Sequence, residues 1–183
     1  MHFIGNLAWD DPANGPAVMG PGDTEFGVKY RFLTPHDGDW WPQIGVFPLL
    51  EIPTGDAGRN LGAGYTQAFL PIWIQKDFRN WTTYGGGGYW INPGPGNRNY
   101  WLAGWLLQRQ VTGKLALGAE LYHTTSSMVG RGGATGFDFG GQYDFTDHYH
   151  LLFSVGRGGL QYAVDAARVG HPLTYYLAFQ WTF

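Results

Sequence analysis

Leu173-Thr174-Tyr175-Tyr176-Leu177-Ala178-Phe179-Gln180-Trp181-Thr182-Phe183 closes the chain and decides its class. Leu173, Tyr175, Leu177, Phe179, Trp181 and Phe183 take every second position, and Thr174, Tyr176, Ala178, Gln180 and Thr182 fall between them. A period of two sends the two sets to opposite faces of a β-strand; a helix needs apolar residues three and four apart. One face is large and apolar, the other small or polar. The pattern recurs upstream. Phe26, Val28, Tyr30 and Phe32 alternate with Glu25, Gly27, Lys29 and Arg31. Leu115, Leu117, Ala119 and Leu121 alternate with Lys114, Ala116, Gly118 and Glu120. Phe137, Phe139, Tyr143 and Phe145 alternate with Asp138, Gly140, Gln142 and Asp144.

Composition narrows the class. The 183 residues amount to one domain, and only 14% are charged, against about 25% in an ordinary soluble domain. Aromatics make up 17%, which argues against disorder. A net charge of -3 without a basic run argues against nucleic acid as a partner. No cysteine is present, so disulfides, thiolate metal sites and cysteine nucleophiles are excluded together. No run approaches the 18 apolar residues of a membrane helix. The slightly negative mean hydropathy looks soluble, yet a membrane β-barrel averages its two faces and hides from such a scale.

Alternation fits both a soluble barrel, with its apolar face inside, and a membrane barrel, with its apolar face in lipid. Three features favour the second. The polar face is rich in glycine and poor in Lys and Glu, as suits a crowded interior. Aromatics gather at strand ends, as interface girdles do; Trp40, Trp41, Trp81, Trp90, Trp101, Phe145, Tyr149 and Trp181 are the girdle candidates. Connections also alternate in length. Short ones are expected at 35–41, 76–80, 112–114 and 146–148, and long ones at 11–21, 53–64, 92–99, 124–134 and 158–172. Short periplasmic turns and long outer loops are the habit of outer-membrane barrels. About ten strands result: 2–10, 22–34, 42–52, 65–75, 80–91, 100–111, 114–123, 135–146, 148–157 and 173–183, each close to the 9–11 residues of a tilted spanning strand. Pro48 and Pro71 fall inside such runs, where a bulge, a strand end or a missing neighbour is expected. Gly85-Gly86-Gly87-Gly88 predicts a bend, or a place where something packs against the wall.

Several stretches resemble the outer-membrane family called "MetA-pathway of phenol degradation". They are Gly22-Asp23-Thr24-Glu25-Phe26-Gly27-Val28-Lys29-Tyr30-Arg31-Phe32, Gly45-Val46-Phe47-Pro48-Leu49-Leu50-Glu51-Ile52-Pro53-Thr54-Gly55-Asp56, Phe69-Leu70-Pro71-Ile72-Trp73, and Trp81-Thr82-Thr83-Tyr84-Gly85-Gly86-Gly87-Gly88-Tyr89 followed by Asn92-Pro93-Gly94. The likeness covers nearly the whole chain and includes both prolines. Leu177, Phe179, Trp181 and Phe183 are similar to the C-terminal signal read by the outer-membrane barrel assembly machinery. The resemblance implies a barrel in the outer membrane of a Gram-negative bacterium, often described as a transporter, with no catalytic role and no cofactor. Family members carry a signal peptide and further strands before the segment matching Phe3-Ile4-Gly5-Asn6-Leu7. The resemblance therefore implies that residues 1–183 form a single barrel domain, N-terminally shortened from a parent of 12 strands.

The chemistry-bearing groups are few. His148 and His150 beside Asp144 and Asp147 have metal-ligand residue types, but read first as a polar turn. Ser126-Ser127 with His123 and Glu120 lack the nucleophile-elbow motif of a hydrolase. Asp56 alone is too little for a calcium site. Alternation puts Lys29, Arg31, Glu51, Glu120, Asp138, Gln142 and Asp144 on the lumen-lining face. Two states satisfy such charges: mutual ion pairs that close a narrow barrel, or a wet pore. The expected partners are the lipid bilayer, the assembly machinery and a small-molecule solute. The expected fold is all-β: an antiparallel, up-and-down transmembrane β-barrel. A channel for small aromatic solutes, a non-conducting structural or surface-interaction barrel, and a soluble lipocalin-type barrel are the readings that follow.

Overall fold

A computed structural model describes residues 2–10, 15–36, 38–158 and 173–181. The strands are β1 (His2–Asp10), β2 (Val18–Gly27), β3 (Tyr30–Leu33), β4 (Gln43–Val46), β5 (Leu49–Ile52), β6 (Gln67–Phe78), β7 (Trp81–Ile91), β8 (Tyr100–Gln110), β9 (Leu115–Thr124), β10 (Ala134–Asp144), β11 (Tyr149–Arg157) and β12 (Leu173–Trp181). Among the described residues the only helical turn is a short 3-10 segment, Ala57–Arg59. Every ladder is antiparallel, and the sheet runs β1-β2-β5-β6-β7-β8-β9-β10-β11-β12, with β3 paired to β4 and β4 to β6. The up-and-down sheet read from the alternation is therefore correct.

Among the described residues no ladder joins β1 to β12, so these two strands end the order, an arrangement that does not exclude a closed barrel. Each pairing in the order joins successive traverses of the chain, β2 with β3 and β4 with β5 each counting as one, whereas closure would need the first strand to meet the last. The strand count is 12 where ten were read, because the traverses 22–34 and 42–52 are each cut in two.

The prolines make those cuts. Val46 pairs Ile72 and Leu49 pairs Phe69 in one continuous register, which sets Phe47 opposite Pro71. The Phe47 N–H donates to the Pro71 carbonyl at 3.5 Å, but proline has no N–H for the return bond. One strand over, the Val28 N–H donates to the Pro48 carbonyl at 3.1 Å, and again no return bond forms. Two adjacent ladder bonds are lost at one place, so a single defect holds both prolines while the register runs through.

Burial is inverted relative to a soluble fold. The large apolar residues of the alternating face lie open: Leu121 is 61% exposed, Tyr175 76% and Leu177 75%. The buried apolar side chains are few, namely Leu49, Leu61, Phe69 and Ala116, together with Pro71. Of these, Leu49, Phe69, Pro71 and Ala116 stand on the polar face, in cross-strand rows with Gly27, Gly88 and Gln142. Among the described residues no second layer of strands covers either face, and both cavities open on the polar face, which is the concave one. Some 25 cal/mol per Å² of apolar area remains unrealised in water on the convex side.

The glycine run does not bend the sheet. β7 continues through Gly85 to Gly88, and the backbones approach closely instead. At Gly86 the φ is +150°, and a Cβ would lie 2.1 Å from the Ile72 carbonyl oxygen. On the convex side the Trp105 ring covers Gly85, and its Nε1 donates to the Thr83 hydroxyl at 2.7 Å. The Thr83 hydroxyl in turn donates to the Leu106 carbonyl at 3.4 Å, so both of its roles are used.

Candidate functional site

Cross-strand rows fix what the concave face carries. Arg31, Gly45, Trp73, Gly86, Gly104, Tyr122 and Gly136 form one row. Gln75, Tyr84, Leu106, Glu120, Asp138, Gly156 and Thr174 form the next. Lys29 lines the same cleft as Arg31, Trp73 and Tyr84. A larger cavity of about 200 Å³ is lined by Gln108, Glu120, Asp138, Gln142, Ser154 and Tyr176. Lys29, Arg31, Glu51, Glu120, Asp138, Gln142 and Asp144 all stand on this one face, since Glu51 pairs Gln67 beside the Leu49–Phe69 pair and Asp144 pairs His150.

These charges do not pair with one another. Glu25 stands directly across from Glu51, and Glu120 directly across from Asp138. Like charges so placed oppose strand pairing. The ion pairs among the described residues are His36–Asp39 and His150–Asp144, so neither Lys29 nor Arg31 neutralises an acid there. At the turn end His150 Nδ1 lies 2.6 Å from Asp144 Oδ1, and Gln142 Nε2 donates to the same oxygen at 2.7 Å. Among the described residues no group of three or more His, Asp or Glu is placed to hold a metal ion.

β6, β7 and β8 depart from the rule of a small, polar inner face. Phe69 stacks on Trp90 with centroids 4.8 Å apart, and Trp90 on Tyr100 at 6.0 Å. Trp73 stacks on Tyr84 at 5.3 Å and meets Phe69 edge-on at 6.4 Å. Trp90 therefore belongs to this concave stack, away from the exposed Trp101 with which the sequence grouped it. The signal was available: Phe69 and Trp73 share the parity of Gln67 and Gln75, the polar side of β6. The other girdle candidates sit at strand ends. Trp101 meets Tyr89 at the loop end. At the turn end Trp40 meets Trp41, the Arg109 guanidinium lies 5.5 Å from the Trp81 ring, and Phe145 and Tyr149 flank Phe179. Of the C-terminal signal, Leu177, Phe179 and Trp181 are exposed on the convex side; Phe183 lies outside the described residues.

Of the expected long connections, 53–64, 92–99 and 124–134 are tied inward, and residues 11–14 and 159–172 lie outside the described residues. Between Gly5↔Thr24 and Leu7↔Pro21 the register slips by one, so Asn6 faces both Gly22 and Asp23. Such a bulge turns two successive residues to one side and re-aims a side chain. Asp23 is 5% exposed. Its Oδ1 accepts from the Gly55 N–H at 2.9 Å and its Oδ2 from the Ala63 N–H at 2.5 Å. The Thr54 hydroxyl donates to the Gly22 carbonyl at 3.0 Å. Gly62 passes so close to the Asp23 carboxylate that a Cβ would lie 2.3 Å from Oδ1. Leu61 is thereby buried against Gly20 and Gly22. The 53–64 segment folds back onto the concave side of β1 and β2, a feature that no alternation pattern predicted.

Asn92 performs the same office at the next two loops. Its Nδ2 donates to the carbonyls of Arg98 and Ser127, its N–H to Asn99 Oδ1, and its Oδ1 accepts from Gln67 and Asn97. The candidate hydrolase group is dispersed: the Ser126 hydroxyl donates to the Met128 carbonyl and His123 bonds Thr135. Asp56 Oδ1 accepts from the Gly58 N–H, capping the 3-10 turn. Compared with known families and with curated proteins, the chain matches no family model and no curated sequence.

Proposed function

We propose that this chain is an outer-membrane β-barrel channel of a Gram-negative bacterium, passing small aromatic solutes. The observation that carries the channel reading is the pair of cross-strand carboxylates, Glu25–Glu51 and Glu120–Asp138, without a described cation beside them. Facing carboxylates without a cation are costly away from water, and water along the concave face would relieve that cost. The exposed apolar convex face with aromatic ends supports lipid outside. The Phe69–Trp90–Tyr100 stack supports aromatic cargo, as does the resemblance to the phenol-degradation family.

The test is single-channel recording after refolding from detergent into a planar bilayer. Discrete current steps are expected. A protein that inserts and stays silent would support the non-conducting barrel instead, a reading favoured by the inward-folded 53–64 loop. In plain buffer the chain is expected to sediment as aggregates and in detergent as one defined species. A monodisperse monomer in plain buffer would overturn the membrane reading and restore the lipocalin-type barrel.

Arg31→Ala removes a positive charge from a face where Glu25, Glu51, Glu120 and Asp138 remain. The reversal potential in a salt gradient is therefore expected to move toward cation selectivity, by roughly a few-fold in permeability ratio. An unchanged reversal potential would show that Arg31 does not line the conducting path.

A further inference from the structure

We propose that the concave face carries a binding site for a planar aromatic carboxylate, between the Lys29–Arg31 cations and the Trp73–Tyr84 stack. The proposal rests on the reading of this face as a solute path. Arg31, Gly45 and Trp73 are successive members of one cross-strand row. Gly45 places no side chain between them, although the β3 backbone sits close over it, a Cβ there lying 2.9 Å from the Tyr30 carbonyl oxygen; Arg31 and Trp73 thus stand two strand spacings apart along the backbone, roughly 9–10 Å. Lys29, Arg31, Trp73 and Tyr84 line one cleft. Neither cation has an ion-pair partner among the described residues, and both are exposed on long stems.

The chemistry selects the ligand. A guanidinium binds a carboxylate through two parallel hydrogen bonds. The stacked Trp73–Tyr84 pair, at 5.3 Å and 19°, borders the cleft with aromatic surface, which favours an aromatic ring over an aliphatic one of equal size. Beyond Trp73 the row continues with Gly86 and Gly104, and the Glu120 carboxylate lies over Gly104. That negative end repels the ligand's own carboxylate and fixes its direction, acid toward Arg31. A cationic or neutral aromatic would leave Lys29 and Arg31 unsatisfied, and an aliphatic acid would leave the rings bare.

The test is equilibrium binding of 4-fluorobenzoate to the refolded full chain in detergent, followed by fluorine NMR against empty micelles. Saturable binding is expected, weakened roughly tenfold or more by Arg31→Ala and by Trp73→Ala. Arg31→Lys and Trp73→Phe are expected to keep part of it, and they serve where an alanine variant does not refold by circular dichroism. 4-Fluorobenzyl alcohol, which lacks the charge, and 4-fluorocyclohexanecarboxylate, which lacks the ring, are expected to bind at least tenfold more weakly. Equal binding of either analogue, or affinity unmoved by Arg31→Ala, would overturn the site. Conductance is recorded separately. Binding by a silent barrel would leave the site standing and remove the channel, and conduction without binding would do the reverse.

Discussion

Asp23→Ala is expected to lower stability by roughly 3–5 kcal/mol, because each hydrogen bond to a charged acceptor contributes about 1.5–3 kcal/mol and two are lost at once. The carboxylate is buried and receives the Gly55 and Ala63 N–H groups. Alanine leaves both donors in place without an acceptor. The 53–64 loop then keeps the Thr54 hydroxyl bonds to Gly22 and Thr24, the Asn60 amide bond to Asp10 and the burial of Leu61 as anchors. Arg59 lies exposed within that loop, so trypsin cutting after Arg59 should become fast in the variant and stay slow in the parent. Asp23→Asn retains one carbonyl acceptor and should lose about half as much. The two readouts are thermal unfolding in detergent and limited proteolysis. An unchanged midpoint with Arg59 still protected would show that the Thr54 and Asn60 bonds and Leu61 burial hold the loop without Asp23. If the path is open, the released loop should also alter single-channel conductance, which ties the bulge in β2 to function.

Gly86→Val should cost roughly 2–5 kcal/mol, from a backbone conformation that L side chains rarely adopt and from overpacking. At φ +150° a Cβ would meet the Ile72 carbonyl at 2.1 Å and the Trp73 Cα at 3.1 Å. The valine can be accommodated only by parting β6 from β7, which carries the Trp73–Tyr84 stack with it. Gly113→Ala is the control, since nothing lies within 4 Å of its added Cβ, and it should change stability by less than about 0.5 kcal/mol. Urea unfolding in detergent reads both. Equal stability of the two variants would mean that the close approach at Gly86 relaxes without penalty.

The alternation of residues 173–181, 115–121 and 137–145 determined strand, direction and face, because a period of two leaves each side chain no other place to go. It put Lys29, Arg31, Glu51, Glu120, Asp138, Gln142 and Asp144 on one side before any pairing was known. Alternation loses its hold wherever parity slips or both parities are alike. At Gly22-Asp23 an extra residue flips the faces, and a bulge has no reliable mark in a single sequence. In Tyr89-Trp90 both neighbours are aromatic, so only the pairing of Trp90 with Phe69 and Tyr100 assigns its side. The prolines announced a defect in the ladder, but only the register showed that Pro71 faces Phe47 and that both prolines share one gap. Loop residues follow no period at all. Asp23 reaches Gly55 and Ala63 over sequence separations of 32 and 40 residues, and the neighbourhood of Arg31 and Trp73 spans three strands. By itself, then, the sequence determined an antiparallel sheet with one apolar and one polar face, since local periodicity suffices for that. The tertiary structure decided the order of the strands, the latched loop and the cleft that cations and stacked rings line together, because each depends on which distant residues the register brings together.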